Sequence, residues 1–433
     1  MYQIQLQYNT IAYIIHEGKN GMNTKTRNKA SNYAFTVVDT IINNIGARPS
    51  CSDDSHVTAR VFHKLYKAYC DTSQLQSFIT HPAAFLGFLT LVPWIYITSL
   101  IFLLLHYYGI AALGFTVANI IASHQFIFYK GTFDFLYKPK KGYNAIGIIN
   151  PKKEVRQQII ISGHHDSAYE FRYMRTTPRL YRIRVASIIL SMVLSLVIGW
   201  LIVVNAYWFQ SHTAHIVFMV IIALLGIANM QMLFFKSKNA TPGAGDNLIA
   251  SAITAVMAKI FSNYRPDYTR LIFVSFDGEE SGLKGSKAFA KAYRECISSM
   301  PTYHFNMDSL YKPELIKFLT SDVNGFVKLS NEFAKQCVTI AHSKGHTATL
   351  FAMYPGTGAT DAAPLAQAGA IATTLIALPT EVEKQDSVYH TMNDTTEHIE
   401  PEVVQATIDI LYSVIEFLDK EIKGCPQILI KHQ

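Results

Sequence analysis

Four runs of apolar residues, each close to the roughly 20 that a helix needs to cross a bilayer, set the first limit on what this chain can fold into. They are Phe85–His106, Ile110–Phe128, Val185–Trp208 and Ile216–Phe235. The runs come in two pairs. An uncharged turn, Tyr107–Gly109, joins the first pair, and a loop free of Lys and Arg, Asn205–His215, joins the second. One such run reads equally well as a buried core helix; four arranged as two hairpins predict transmembrane segments. Composition agrees, because 50% hydrophobic and only 16% charged residues is apolar for a soluble chain of 433 residues.

Basic residues orient the hairpins. Lys130, Lys138, Lys140, Lys141, five arginines from Arg172 to Arg184, then Lys236 and Lys238 all flank the runs on the side of the polar segments. The positive-inside rule therefore predicts a four-span, multi-pass membrane protein with its polar segments in the cytoplasm. This collar accounts for much of the net charge of +7. No basic-aromatic interleaving, nucleic-acid motif or P-loop occurs elsewhere, so the expected partner is a lipid bilayer and not nucleic acid. Five scattered cysteines (Cys51, Cys70, Cys296, Cys337, Cys425), with no CxxC pair, argue against a disulfide framework or a Cys-based zinc site and fit a reducing compartment. The first residues lack an unbroken apolar core and a cleavage site, so no signal peptide is expected; Met22 is an alternative start.

Outside the hairpins, helical and strand periods alternate. Helices are expected at Ala30–Ile45, at Ser55–Cys70 with Ser55 as cap, and at Leu248–Phe261, Ser286–Ile297, Asn324–Ser343 and Pro401–Lys423. Strands are expected at Asn144–Asn150, Gln158–Ser162, Leu271–Phe276, Tyr303–Met307, Leu315–Thr320, Thr347–Met353 and Ala372–Leu378. Such alternation predicts an α/β fold: a three-layer sandwich with a mainly parallel central sheet, interrupted by two transmembrane helical hairpins. The expected organisation is a tail (1–29), the helical start of a soluble domain (30–84), hairpin 1 (85–128), the domain's next part (129–184), hairpin 2 (185–235) and the remainder (236–433). The polar pieces are too short to fold alone, so the hairpins are insertions into one domain.

The chemistry concentrates at the ends of the predicted strands. Leu271–Ser286 reads LIFVSFDGEESGLKGS: a strand that stops at Asp277-Gly278 and delivers two adjacent glutamates, Glu279 and Glu280. Neighbouring carboxylates repel one another unless a cation offsets them. His164-His165-Asp166 follows another strand, Asp246 follows a Gly-rich turn, Asp308 follows Tyr303–Met307, and His390 lies in the polar loop SVYHTMNDT. Singly, these are surface polarity, a helix cap or an exposed histidine. Jointly they supply the nitrogen and oxygen donors that suit zinc or a similar divalent ion.

The ordered set HxD, GAxDN, EExGLxGS, NxD and YHTxxDT resembles the co-catalytic di-zinc aminopeptidase family, whose relatives include glutamate carboxypeptidase and glutaminyl cyclase. The resemblance covers roughly Ala30–Lys423 apart from the hairpins, and IGARPSCSDD is similar to the family's turn between its first two helices. It implies two zinc ions, or another divalent transition metal, and a peptide substrate. His164 and Asp308 would ligate one metal, Glu280 and His390 the other, and Asp246 would bridge them. Glu279 would be general base and acid, and Asp166 would orient His164, with His165 as the alternative ligand. Asp361, in ATDAAP, resembles a family loop beside the substrate pocket. The family's bridging acid follows HxD closely; here the second hairpin lies between Asp166 and Asp246. The implied activity is a membrane-anchored aminopeptidase acting through a metal-activated hydroxide. A carboxypeptidase, an aminoacylase, a glutaminyl cyclase type and a non-catalytic receptor-like relative are the alternatives.

Overall fold

A computed structural model describes residues 24–379 and 388–424; most of the tail, Met22 and Cys425 lie outside them. Helices α1 (Thr24–Asn44) and α2 (Asp53–Tyr69) open the described chain, followed by strand β1 (Thr72–Thr80). Helices α3 (Ala84–Leu104) and α4 (Tyr108–Ala122) form the first apolar hairpin. Strands β2 (Lys140–Ile149), β3 (Gln157–His164) and β4 (Tyr169–Phe171) and helix α5 (Arg172–Thr176) lead to the second, α6 (Tyr181–Val204) and α7 (His212–Met230). Beyond it lie β5 (Lys236–Ala240), α8 (Ile249–Asn263), β6 (Thr269–Phe276), α9 (Lys284–Ala292) and α10 (Arg294–Ser298). The remainder runs β7 (Thr302–Leu310), β8 (Lys317–Asp322), β9 (Val327–Lys328), α11 (Asn331–Ser343), β10 (Thr349–Ala352), α12 (Ala362–Gln367), β11 (Ile371–Ala377) and α13 (Pro401–Gly424).

Nine strands form one mixed sheet in the order β1-β2-β6-β3-β7-β11-β8-β10, with β9 paired to β8. Its centre, β6-β3-β7-β11, is parallel throughout, while β1, β2 and the β11–β8 junction run antiparallel. Central strands covered on both faces carry continuous apolar runs, and β3 (Ile159–Ile161) and β6 (Leu271–Val274) do so in their middles. Ile159, Ile161, Leu271 and Phe273 enter a core shared with α1, α2, α8 and α13. The alternate residues Ile160, Ile272 and Val274 enter a second core with Phe289 of α9 and Leu365 beyond it in α12. Two helical layers thus enclose the sheet.

Several boundaries differ from the sequence reading, each for a local reason. Strand β1 was not expected: it is a polar, half-exposed edge strand whose apolar signal is weak. The cap of α2 is Ser52, which accepts from the Ser55 amide, and Ser55 instead donates its hydroxyl to Asp277 Oδ1 at 2.7 Å. The expected helix Ser286–Ile297 starts at Lys284 and breaks at Tyr293 into α9 and α10. Helix α11 begins only after Ser330 caps it, because Val327–Lys328 pairs with β8.

Five helical stretches among the described residues are long and apolar enough to cross a membrane. Burial separates them. Within its most apolar stretch, the one containing α8 (Ala244–Asn263) is 94% buried and belongs to the core, whereas the helices of the two hairpins bury less than half of theirs. Trp94, Leu104, Leu113, Leu190, Leu224 and Ile227 form part of an uncovered apolar surface on the hairpins. Some polar groups inside the bundle pair with one another: the Tyr96 hydroxyl meets Ser195 Oγ at 2.9 Å and donates to Ile222 O at 2.7 Å.

Candidate metal centre

Parallel register decides which residues can meet. Because His164 on β3 aligns with Phe276 on β6, the loop after β6 starts level with His164. Ser162 aligns with Asn306, which puts Asp308 on β7 beside the same edge. That edge is the carboxyl end of the parallel strands, where open α/β sheets bind ligands. The turn before α8 brings in Asp246, and the loop before α13 brings in His390.

The convergence is tight. His164 Nε2 lies 3.4 Å from Asp246 Oδ1 and 3.7 Å from Glu279 Oε2. His390 Nε2 lies 3.0 Å from Asp246 Oδ2 and 3.4 Å from Glu280 Oε1. Two triads, His164–Asp246–Glu280 and His164–Glu279–Asp308, each present donor atoms within 4.8 Å of one another. All seven residues expected at the site, Asp166 among them, are thus at this strand edge. His165 is not: its ring turns away, Nδ1 meets Ser275 Oγ at 2.9 Å, and burial pushes its pKa down to about 3.

Asp166 explains how the cluster is held. Its backbone carbonyl lies 3.1 Å from His164 Nδ1, which leaves Nε2 facing Asp246. Its carboxylate accepts from the amides of Glu279 and Glu280, both at 3.2 Å, and from Ser50 Oγ at 2.6 Å. One acid therefore orients an imidazole and pins the double-glutamate loop. Gly278, at φ +78, allows the turn that starts this loop. On the far side, Asp394 accepts from the amides of Gly245 and Asp246 at 2.8 and 3.2 Å, fixing the turn that carries Asp246. The His390 ring is stacked by Tyr389 at 4.0 Å and met edge-on by Phe171 at 4.5 Å.

The electrostatics call for a cation. Burial, then Glu280 and Asp308, pushes the Glu279 carboxyl well above its usual range, although His164 opposes the shift. Burial, followed by Asp246, pushes Asp308 up in the same way. Burial alone would depress His390, yet Glu280 and Asp246 bring it up to about 10. The site donates more negative charge than two imidazoles can offset. His164 Nε2, Asp246 Oδ2 and Glu280 Oε1 are buried without a hydrogen-bond partner. Buried polar atoms left this way are costly unless something else binds them. The donor set of imidazole and carboxylate fits zinc.

Sequence reasoning missed Arg48, Ser50, Asp277 and Asp394. Arg48, fully buried, donates to the carbonyls of His165 at 2.9 Å and Gly243 at 3.1 Å, tying two of the site's loops together. Asp277 accepts from Cys51 N, Ser55 Oγ and Tyr143 N, and burial with Asp166 nearby pushes it up to about 7. The only signal for these was their position in IGARPSCSDD, FDGEE and HTMNDT. Asp361 is buried, and both of its carboxylate oxygens lack a hydrogen-bond partner.

Part of the chain, and its fold, are similar to known peptidases. Residues 228–415 match the model of Peptidase family M28. Aminopeptidase YwaD of Bacillus subtilis is 28% identical over 184 residues, which is 42% of this chain and 39% of that protein. The chain thus spans about two fifths of the length of that curated relative. Among solved structures, a zinc aminopeptidase from Bacillus subtilis superposes with a TM-score of 0.54 at 14% identity, covering 90% of this chain and 95% of that one. A glutaminyl cyclase from an Acidobacteriales bacterium gives 0.55 at 13% identity, covering 94% and 99%. The fold is that of these enzymes, and the resemblance read from the motifs holds.

Asp394→Ala removes the acceptor that fixes the Asp246 turn without removing a donor atom facing His164 or His390. Zinc affinity should fall about 10- to 100-fold, the usual cost of losing such a support, in competition titrations with a zinc-sensitive chelator. Unchanged affinity would show that the turn is held by other contacts.

Proposed function

We propose, starting from the match to Peptidase family M28, that this chain is a membrane-anchored zinc exopeptidase that removes N-terminal residues from peptides. The observation that carries the proposal is the pair of donor triads meeting at His164, with Glu279 and Glu280 side by side on one loop. In this reading His164, Asp246 and Asp308 would hold one zinc ion and Asp246, Glu280 and His390 a second, leaving Glu279 of the second triad free as the base. When bound, such ions polarise a carbonyl and lower the pKa of water.

The protein's own residues do the rest. Glu279 Oε2 lies 3.7 Å from His164 Nε2, and burial raises the proton affinity of its carboxyl above the ordinary carboxylate range, which suits a group that accepts and returns a proton. It removes a proton from the attacking water and passes it to the nitrogen of the leaving amine as the C–N bond breaks. One water is consumed, and one carboxylic acid and one amine are released. Asp166 keeps Glu279 in place through its amide hydrogen bond and keeps His164 in a fixed orientation. Burial of the cluster excludes bulk water and strengthens each interaction in it.

The hairpins anchor the enzyme. Their uncovered apolar surface supports immersion in lipid, and the basic collar supports a catalytic domain on the cytoplasmic side. In this arrangement one peptidase domain, assembled from 30–84, 129–184 and 236–433, is interrupted twice by lipid-embedded inserts.

Glu279→Gln should lower kcat on leucine p-nitroanilide by about 100-fold or more, while zinc content by atomic absorption stays at the unmutated level. Retained turnover would overturn the assignment of the base. N-acylated peptides should not be cleaved and N-terminal glutamine should not be cyclised; the reverse pattern would favour the acylase or cyclase reading. For the topology, a cysteine placed at Ser211 should react with a membrane-impermeant maleimide from outside intact cells, and one at Lys140 only after lysis. The opposite labelling would invert the orientation.

A further inference from the structure

The peptidase reading leaves unused a partly open cavity at the junction of the hairpins and the catalytic domain. Its walls include Phe88 of α3, Ala122 at the end of α4, Phe126 just after it, and Ile188 and Met192 of α6. Along α6 the lining runs from Tyr181 to Val193, a distance of roughly 18 Å at the helical rise. One end opens at Ile189 and Val193, which are 42% and 48% exposed within the apolar surface of the hairpins. At the other end the lining is Phe235 and Phe171, whose rings are 4.9 Å apart. Phe171 is the residue that packs edge-on against His390, and its amide donates to His390 O at 2.9 Å. The slot therefore leads from the lipid-facing side of the bundle to the back of a residue at the metal centre.

The chemistry of the walls selects the occupant. No Asp, Glu, Lys or Arg lines the cavity; its polar residues are Asn119, Ser123 and Tyr181. Asn119 already spends its amide on Phe115 O and Met192 O. A peptide backbone in the slot would carry N–H and C=O groups with almost nothing to pair with, at a cost of several kcal/mol for each unpaired group. A hydrocarbon chain has no such groups and gains by leaving its surroundings only for an equally apolar, shape-matched wall.

We propose that this cavity holds the single alkyl or acyl chain of a bilayer-resident substrate, so that the enzyme acts on lipidated amides or peptides presented from the membrane. This inference rests on the exopeptidase reading for the chemistry, but not for the binding. The head group extends past Phe171 to the metal centre while the chain stays in the slot. The reaction remains hydrolysis: leucyl dodecylamide and water give leucine and dodecylamine, with the C–N bond broken and one proton passed to the amine.

Two measurements on the full chain in lipid nanodiscs test it. Palmitic acid bearing a mid-chain diazirine should, on illumination, label peptides containing Phe171 or the stretch 185–193. Val193→Trp and Ile189→Trp, which crowd the mouth at exposed positions, should each lower that labelling by about tenfold. Labelling spread over lipid-facing positions of α7 such as Leu224 and Ile227, and unaffected by either tryptophan, would overturn the proposal. In kinetics, kcat/KM for leucyl dodecylamide should exceed that for leucinamide by about tenfold or more, and the ratio should fall towards one in both variants. Equal values in the unmutated enzyme would also overturn it. If neither amide is hydrolysed the exopeptidase reading fails, while the labelling still decides the cavity.

Discussion

The structure depends on a concentration of buried negative charge. Asp166, Asp246, Glu279, Glu280 and Asp308 come from four separate stretches of chain and meet around two imidazoles at one sheet edge. Carboxylates this close repel one another, and burial removes the water that would screen them. Folding brings them together because strands β3, β6 and β7 align in parallel, and burial of Ile159, Ile161, Phe273 and Phe305 in the core beneath contributes towards offsetting the cost at the edge. The residual strain is relieved in two ways. Backbone amides, arranged by Asp166, Asp277 and Asp394, absorb charge behind the site. In front of it, unpartnered donor atoms remain for a cation.

The same logic explains why the supporting residues are buried polar groups and not apolar ones. Arg48, held entirely inside the protein, spans the carbonyls of His165 and Gly243 and so ties the loop after β3 to the turn before α8. Burial brings its pKa down to about 10, which still leaves it charged at neutral pH. A cation in that position also moderates the field of Asp394 and Asp166, its two nearest acidic influences. Lys284 forms an ion pair with Asp134, and Lys287 donates to the carbonyls of Tyr129 and Gly282. These contacts fasten the segment leaving hairpin 1 to the loop of Glu279 and Glu280. The apolar hairpins and the candidate metal centre are thus mechanically continuous, through Asp134 on one side and Phe171 on the other.

Much of the site was legible in the amino-acid order. His164, Asp246, Glu280, Asp308 and His390 could be picked out because each is a donor-type residue at a predicted strand end or an adjoining loop, and a parallel sheet gathers strand ends. Glu279 and Asp166 followed from their positions within the same motifs. The supports were not legible in the same way. Ser50, Ser55 and Asp394 act through hydrogen bonds to partners more than a hundred residues away, and no local pattern encodes such contacts. Strand β1 escaped notice because an edge strand with one wet face carries little apolar signal. The apolar slot escaped notice because its lining comes from residues that look like ordinary bundle packing until the helices are set at their angles. Four apolar runs, by contrast, were plain from length alone, and Leu248–Phe261 was expected simply as one of the helices outside them.

Anomalous diffraction at the zinc edge, from crystals of the purified full chain, addresses the central claim most directly. Two peaks roughly 3.5–4 Å apart, one beside His164 and Asp308 and the other beside Glu280 and His390, with Asp246 between them, are the expected result. A zinc-replete protein with no peak within reach of these side chains would contradict the account.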